Sequence, residues 1–268
     1  MNFKAMVLTT AAVTMIAGVA NAKDFTGSLF LPSQGELLSN TSIEHGRLKD
    51  KYAGIDKTLV AGEELTYGVT DNLSIFGAIV NAFDGGEFSN QKYFNNDHNF
   101  AYEVGAKYNH NFGRVLTQAG LSYQTFQPAS WTGHKGVSSD WSKMIEAEVQ
   151  VGYDMGNGWT PYAMLTADTV IDEHHRPINY SAFAGVHKTF DKFAVDTGLR
   201  YEYDHDGKIG NYFHNDSTEQ YFWQLEADYF LTDNVALGIH GDYYLGGDDS
   251  DVKTKYEYTV GAQLKVLF

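Results

Sequence analysis

The chain has 268 residues, with 34 acidic against 19 basic side chains and a formal charge of −15, a balance that argues against nucleic acid as a partner. It contains no cysteine, which removes both a disulfide framework and cysteine metal sites. Four prolines against 27 glycines, 18 tyrosines and 17 phenylalanines suit extended sheet better than helix.

The first 22 residues have Lys4 near the start, a mostly apolar stretch from Ala5 to Val19, and a small-x-small ending at Ala20-Asn21-Ala22. This is the pattern of a secretory signal peptide over 1–22. It predicts an exported chain whose single mature domain runs over 23–268. The next stretch, DFTGSLFLP over 24–32, reads either as a further strand or as a plug. Beyond the signal peptide no apolar run approaches the roughly 18–20 residues of a membrane helix, and the mean hydropathy is slightly negative.

From about residue 39 the chain alternates apolar and polar residues with period two, the signature of strands. Segment 100–108 sets Phe100, Tyr102, Val104, Ala106 and Tyr108 against Glu103 and Lys107. Segment 145–153 sets Ile145, Ala147, Val149, Val151 and Tyr153 against Glu146, Glu148 and Gln150. The same rhythm recurs in 193–204 and 221–231. Twelve strands are predicted, at 39–47, 57–70, 73–83, 99–110, 114–127, 142–154, 159–168, 179–189, 193–204, 219–232, 235–246 and 255–268. Glu63 falls on the apolar side of 57–70, which predicts a bulge there. Short Asp, Asn and Gly turns alternate with longer polar stretches along the whole series. A soluble sandwich has no reason to sort its loops by length, whereas a membrane-spanning barrel does.

The last strand, YEYTVGAQLKVLF over 256–268, carries Val260, Ala262, Leu264 and Val266 on the face that ends in Phe268. With the even strand count and sorted loops, the chain resembles a Gram-negative outer-membrane β-barrel of the porin-like kind. The resemblance implies an all-β fold: a closed antiparallel barrel with short periplasmic turns, longer extracellular loops and both termini in the periplasm. It also implies residence in the cell outer membrane, contact with its lipids, and insertion by the barrel assembly machinery. Phe268, Val266 and Leu264 are similar to the C-terminal signal that this machinery reads. Tyrosines near the strand ends, among them Tyr102, Tyr108, Tyr123, Tyr153, Tyr221, Tyr229 and Tyr243, fit interfacial girdles.

If the apolar face meets lipid, the other face lines a lumen. That face holds Glu44, Glu64, Glu103, Glu146, Glu148, Asp196, Glu202, Glu226, Asp228, Asp242 and Glu257. Opposing these eleven acids are four bases, Lys107, Arg200, Lys255 and Lys265. Crowded carboxylates need water, cations or basic partners to stay charged. The expectation is therefore a passive channel for small cationic or neutral solutes. Selectivity candidates are Glu103, Lys107, Glu146, Glu148, Arg200, Glu202, Glu226, Asp228 and Asp242. Large inward side chains (Phe76, Phe183, Phe222, Phe230 and Tyr162) are placed to fill part of the bore.

Several loop motifs carry chemistry-bearing residues: DEHHRP over 172–177, DHDGK over 204–208, FHND over 213–216 and GGDDSD over 246–251. The last has calcium-loop aspartate density without the EF-hand spacing or its terminal Glu. Asp204, His205, Asp206 and His214 supply the residue types of an omptin-like surface protease. Trp131, His134, Lys135, Tyr212 and Phe213 are candidates for a non-conducting barrel acting through its loops. No GxSxG, P-loop or HExxH motif occurs. The chain reads as a non-enzyme without cofactor or metal, with the loop-acting barrel and the surface protease as the alternatives.

Overall fold

The computed structural model describes residues 24–50, 54–85, 98–126, 142–171, 178–204, 208–209, 212–213, 218–248 and 254–268. The predicted signal peptide and at least half of each chemistry-bearing loop motif lie outside them, as do Trp131, His134, Lys135, His205, Asp206 and His214.

Among the described residues fourteen strands follow one another. They are β1 Leu37–Asp50, β2 Gly54–Gly68, β3 Leu73–Gly85, β4 His98–Phe112, β5 Val115–Phe126, β6 Ser142–Tyr153 and β7 Trp159–Val170. There follow β8 Ile178–Thr189, β9 Phe193–Asp204, the two-residue pair β10 Lys208–Ile209 and β11 Tyr212–Phe213, then β12 Thr218–Thr232, β13 Val235–Asp248 and β14 Thr254–Leu267. Twelve of these form a closed barrel in which each pairs antiparallel with its sequence neighbour and β1 closes on β14; β10 and β11 pair only with each other. Closure leaves no open edge, which backbone polar groups in lipid require. The seam is completed by reciprocal bonds between the Leu37 and Phe268 backbones at 3.1 and 2.8 Å. Among the described residues no helix is long and apolar enough to cross a membrane.

The outward face answers which oil the strands meet. Val104, Leu121, Ile239, Leu165 and Leu199 are 58–60 % exposed, a density of bare aliphatic surface that water would not support around a whole barrel. Aromatic rings flank this band at both ends. Tyr67, Phe112, Tyr153, Trp159, Phe190 and Phe193 lie at the short-turn end, and Tyr102, Tyr123, Tyr180, Tyr221 and Tyr243 lie toward the other.

One expectation fails. No bulge occurs at Glu63: β1 and β2 stay in continuous register, pairing Thr41 with Glu63. Glu63 keeps to the outward face shared with exposed Leu65 and Tyr67. It is satisfied instead by two hydroxyls, Ser39 Oγ donating to Oε1 at 2.6 Å and Thr41 Oγ1 donating to Oε2. A carboxylate in an apolar surround is tolerated when its lone pairs are bonded, so the strand had no need to break its alternation. Register shifts occur at Arg47/Leu48, Tyr221/Phe222 and Phe230/Thr232.

Candidate functional site: a lumen shared by a plug and an acidic cavity

Residues 24–32 form no strand. They turn into the lumen at the short-turn end, the turn made by Phe30 N bonding Gly27 O at 2.9 Å. Phe25 is 1 % exposed and packs with Ala236, Leu267, Leu38 and Phe230, all near strand ends on that side. Across the bore, Leu29 lies over Gly152 of β6, where a Cβ would meet its Cδ1 at 2.5 Å. The segment then leaves past Gly68, where a Cβ would lie 2.0 Å from the Ser33 carbonyl, so the close approach depends on glycine. Of the two readings of this stretch, the plug is the one adopted.

Two polar clasps hold the plug. In the first, Asp24 Oδ2 lies 2.8 Å from His187 Nε2 and accepts from Thr189 Oγ1. His187 Nδ1 lies 3.4 Å from Asp196, which also accepts from the Tyr162 hydroxyl at 2.7 Å. Burial pushes the Asp24 carboxyl upward, but the His187 contact and the surrounding hydroxyls outweigh it and hold Asp24 well below the usual carboxylate range. In the second clasp, buried Lys265 donates to the Thr26 carbonyl at 3.2 Å, to Asp228 at 3.2 Å and to Glu226. Gln263 completes it by donating to Asp228 at 3.1 Å.

Higher on the same wall, Arg200 bridges Glu202 and Asp242, each at 2.9 Å, with its guanidinium 4.8 Å from the Phe222 ring centroid. Gln224 donates to Asp242 at 2.9 Å, and His240 pairs with Glu44 at 3.2 Å.

The opposite wall, β2 to β6, is built differently. There a cavity of about 170 Å³ is lined by Glu64, Phe76, Glu103, Lys107, Gly120, Leu121, Ser122, Glu146 and Glu148. Registry places Phe76, Gly105, Ser122 and Glu146 in one cross-strand row, and Lys107, Gly120 and Glu148 in the next. Missing Cβ atoms make room for two of the lining side chains: one on Gly105 would meet Phe76 Cζ at 2.5 Å, and one on Gly120 would meet Glu148 Cγ at 2.6 Å. Lys107 pairs with Glu148 at 3.2 Å. Glu64 accepts from Thr66 at 3.0 Å, and no basic side chain among the described residues pairs with Glu64, Glu103 or Glu146.

No protein-family model matches the chain, and no match to a curated protein was found. Solved structures do resemble it. The COG4313 outer membrane channel from Pseudomonas putida F1 superimposes with a TM-score of 0.65 at 14 % identity, covering 93 % of this chain and 100 % of that one. The NanC porin superimposes with a TM-score of 0.53 at 10 % identity, covering 84 % and 98 %. The fold is that of outer-membrane porin-like barrels.

Within this porin-like barrel, the nine lumen candidates separate into three groups. Glu103, Lys107, Glu146 and Glu148 line the cavity. Arg200 bonds both Glu202 and Asp242, and Glu226 and Asp228 are tied to Lys265. At the seam, Leu264 and Phe268 are half-buried and Val266 is fully buried. The inward aromatics Phe183, Phe222 and Tyr162 are buried as expected. The candidate list lacked Asp24, the plug anchor, because nothing local distinguishes it from any polar residue after a signal peptide. Ser122 was also missing, since an inward serine carries no charge signal. Asp168, the register partner of Glu146, was missing because it sits at the predicted strand boundary.

Proposed function

We propose that this chain is a passive outer-membrane channel for small solutes, with a preference for cations. The observation that carries the reading is the acidic cavity along β2 to β6. Four carboxylates face it, with Lys107 as the one base in its lining, and the plug's clasps lie on the other wall. A pore lined by one sign of charge concentrates counter-ions and repels co-ions. Glu146 and Glu148 are the foremost selectivity residues, with Glu103 and Glu64 beside them. Glu226 and Asp228 serve mainly to hold Lys265 and the plug.

The same reading places the protein in the outer membrane, with Phe268, Val266 and Leu264 as its assembly signal. It should fractionate with outer membranes and migrate differently on a gel before and after heating; recovery as a soluble periplasmic protein would overturn the placement. The function is tested by single-channel conductance of the refolded mature chain in a planar bilayer, with reversal potential under a KCl gradient. Discrete steps with a cation-selective reversal are expected. An inserted but silent barrel, or an anion-selective one, would refute the reading.

A further inference from the structure

The cavity shows, within its own chain, how it takes an ammonium group. Lys107 Nζ lies 3.2 Å from Glu148 Oε1 and 5.3 Å from the centroid of the Phe76 ring. A carboxylate on one side and an aromatic face nearby are the two groups that attract an organic cation. Lys107 uses Glu148 and leaves Glu64, Glu103 and Glu146 without a basic partner among the described residues. A second, independent feature points into the same space. Ser122 lines the cavity and is 7 % exposed, and its hydroxyl has no hydrogen-bond partner among the described residues. Buried hydroxyls are ordinarily paired, so an orphan facing a cavity marks a place for a ligand atom.

We propose that this cavity is a binding station for a small solute carrying primary ammonium groups, taken up on its way through the channel. The volume of about 170 Å³ corresponds to roughly five or six waters at ~30 Å³ each, the scale of a short aliphatic diamine. An N–H donor set fits better than a bare metal ion. Among the described residues no group of three or more His, Asp and Glu side chains is placed to hold a metal. The carboxylates surround the space without converging on a point. One ammonium lies against Glu103 and Glu146, Ser122 Oγ accepts one of its N–H bonds, and the aliphatic stem lies along Phe76.

The inference rests on the channel reading for access, so the test separates the two. In planar bilayers holding the full mature chain, the KCl reversal potential is measured first, then block of the potassium current by butane-1,4-diamine and by tetramethylammonium. Expected is saturable block by the diamine, weaker block by tetramethylammonium, which has no N–H, and an increase of about tenfold in the blocking concentration for Glu103→Gln or Glu146→Gln. Phe76→Leu is the second variant should a Gln variant fail to fold, with heat-modifiable migration as the folding check. Cation-selective current without diamine block, or equal block by tetramethylammonium, overturns the station and leaves the channel standing. If the inserted barrel is silent, calorimetric titration of the detergent-refolded protein with the diamine decides. Saturable heat that is lost in Glu146→Gln supports the site, and its absence overturns it.

Discussion

The two walls of the lumen are made from the same residue types by the same alternation, yet they do different work. On the wall formed by β12 to β14 with β8 and β9, the acids meet partners: Glu226 and Asp228 hold Lys265, Asp196 holds His187 and Tyr162, and Asp242 holds Arg200. These carboxylates are structural, and the plug is bolted to them. On the wall from β2 to β6, Lys107 pairs with Glu148, and Glu64, Glu103 and Glu146 surround the cavity without a basic partner among the described residues. A net charge summed over the lumen hides this division. In the proposed channel, selectivity falls to the acids that face the cavity, and anchoring to those tied into the clasps.

The division can be broken from either side. The largest effect is expected from deleting residues 24–32, which removes the plug and should raise single-channel conductance by about twofold or more by widening the bore. Unchanged conductance would show that the segment does not obstruct the path. Next is Lys265→Met, which leaves Glu226 and Asp228 facing each other without their cation. A loss of about 3–5 kcal/mol is expected in denaturant unfolding from detergent, because removing one member of a buried pair strands the other. Lys107→Met on the open wall should cost far less stability and should strengthen cation preference. If the two lysines behaved alike, the contrast between the walls would be lost.

Selectivity gives a third comparison. Joint Gln replacement of Glu103, Glu146 and Glu148 should lower the potassium-to-chloride permeability ratio by about twofold or more. The same change at Glu226 and Asp228 should reduce refolding yield more than selectivity. A smaller effect belongs to the outer surface, where Ser39→Ala with Thr41→Val leaves Glu63 without its hydroxyls in the lipid-facing band. A loss of about 1–3 kcal/mol is the scale of stranding such a group, read as a lower unfolding midpoint in detergent.

The smallest effect concerns acid. Asp24 is held below its ordinary value of 3.8, so its contribution is complete above that value and fades only as pH falls through the lower folded value. The conductance difference between wild type and Asp24→Asn should therefore be the same at pH 7 and pH 5. A difference that shrinks at pH 5 would place the Asp24 titration elsewhere.

Much of this protein is legible in its residues taken in order. Period-two alternation is a property of each strand alone, so inward and outward faces could be read along β4, β6, β9 and β12 without knowing their neighbours. Turn chemistry is equally local, and with it came the twelve strands, their sorted connections and the closed sheet. Glu63 marks where local reading fails: its place looked like an error in the alternation until Thr41 and Ser39 of the neighbouring strand supplied its bonds. The fate of 24–32 and the difference between Glu226 and Glu146 belong to the tertiary structure. Both glutamates read identically, each inward on an amphipathic strand. One lies beside a lysine 39 residues away along the chain only because β12 and β14 flank β13, and the other faces a cavity whose wall seats Phe76 and Glu148 against two glycines on β4 and β5. Cross-strand neighbours and the path of an N-terminal segment are set by closure of the whole sheet, and no stretch of sequence holds that information by itself.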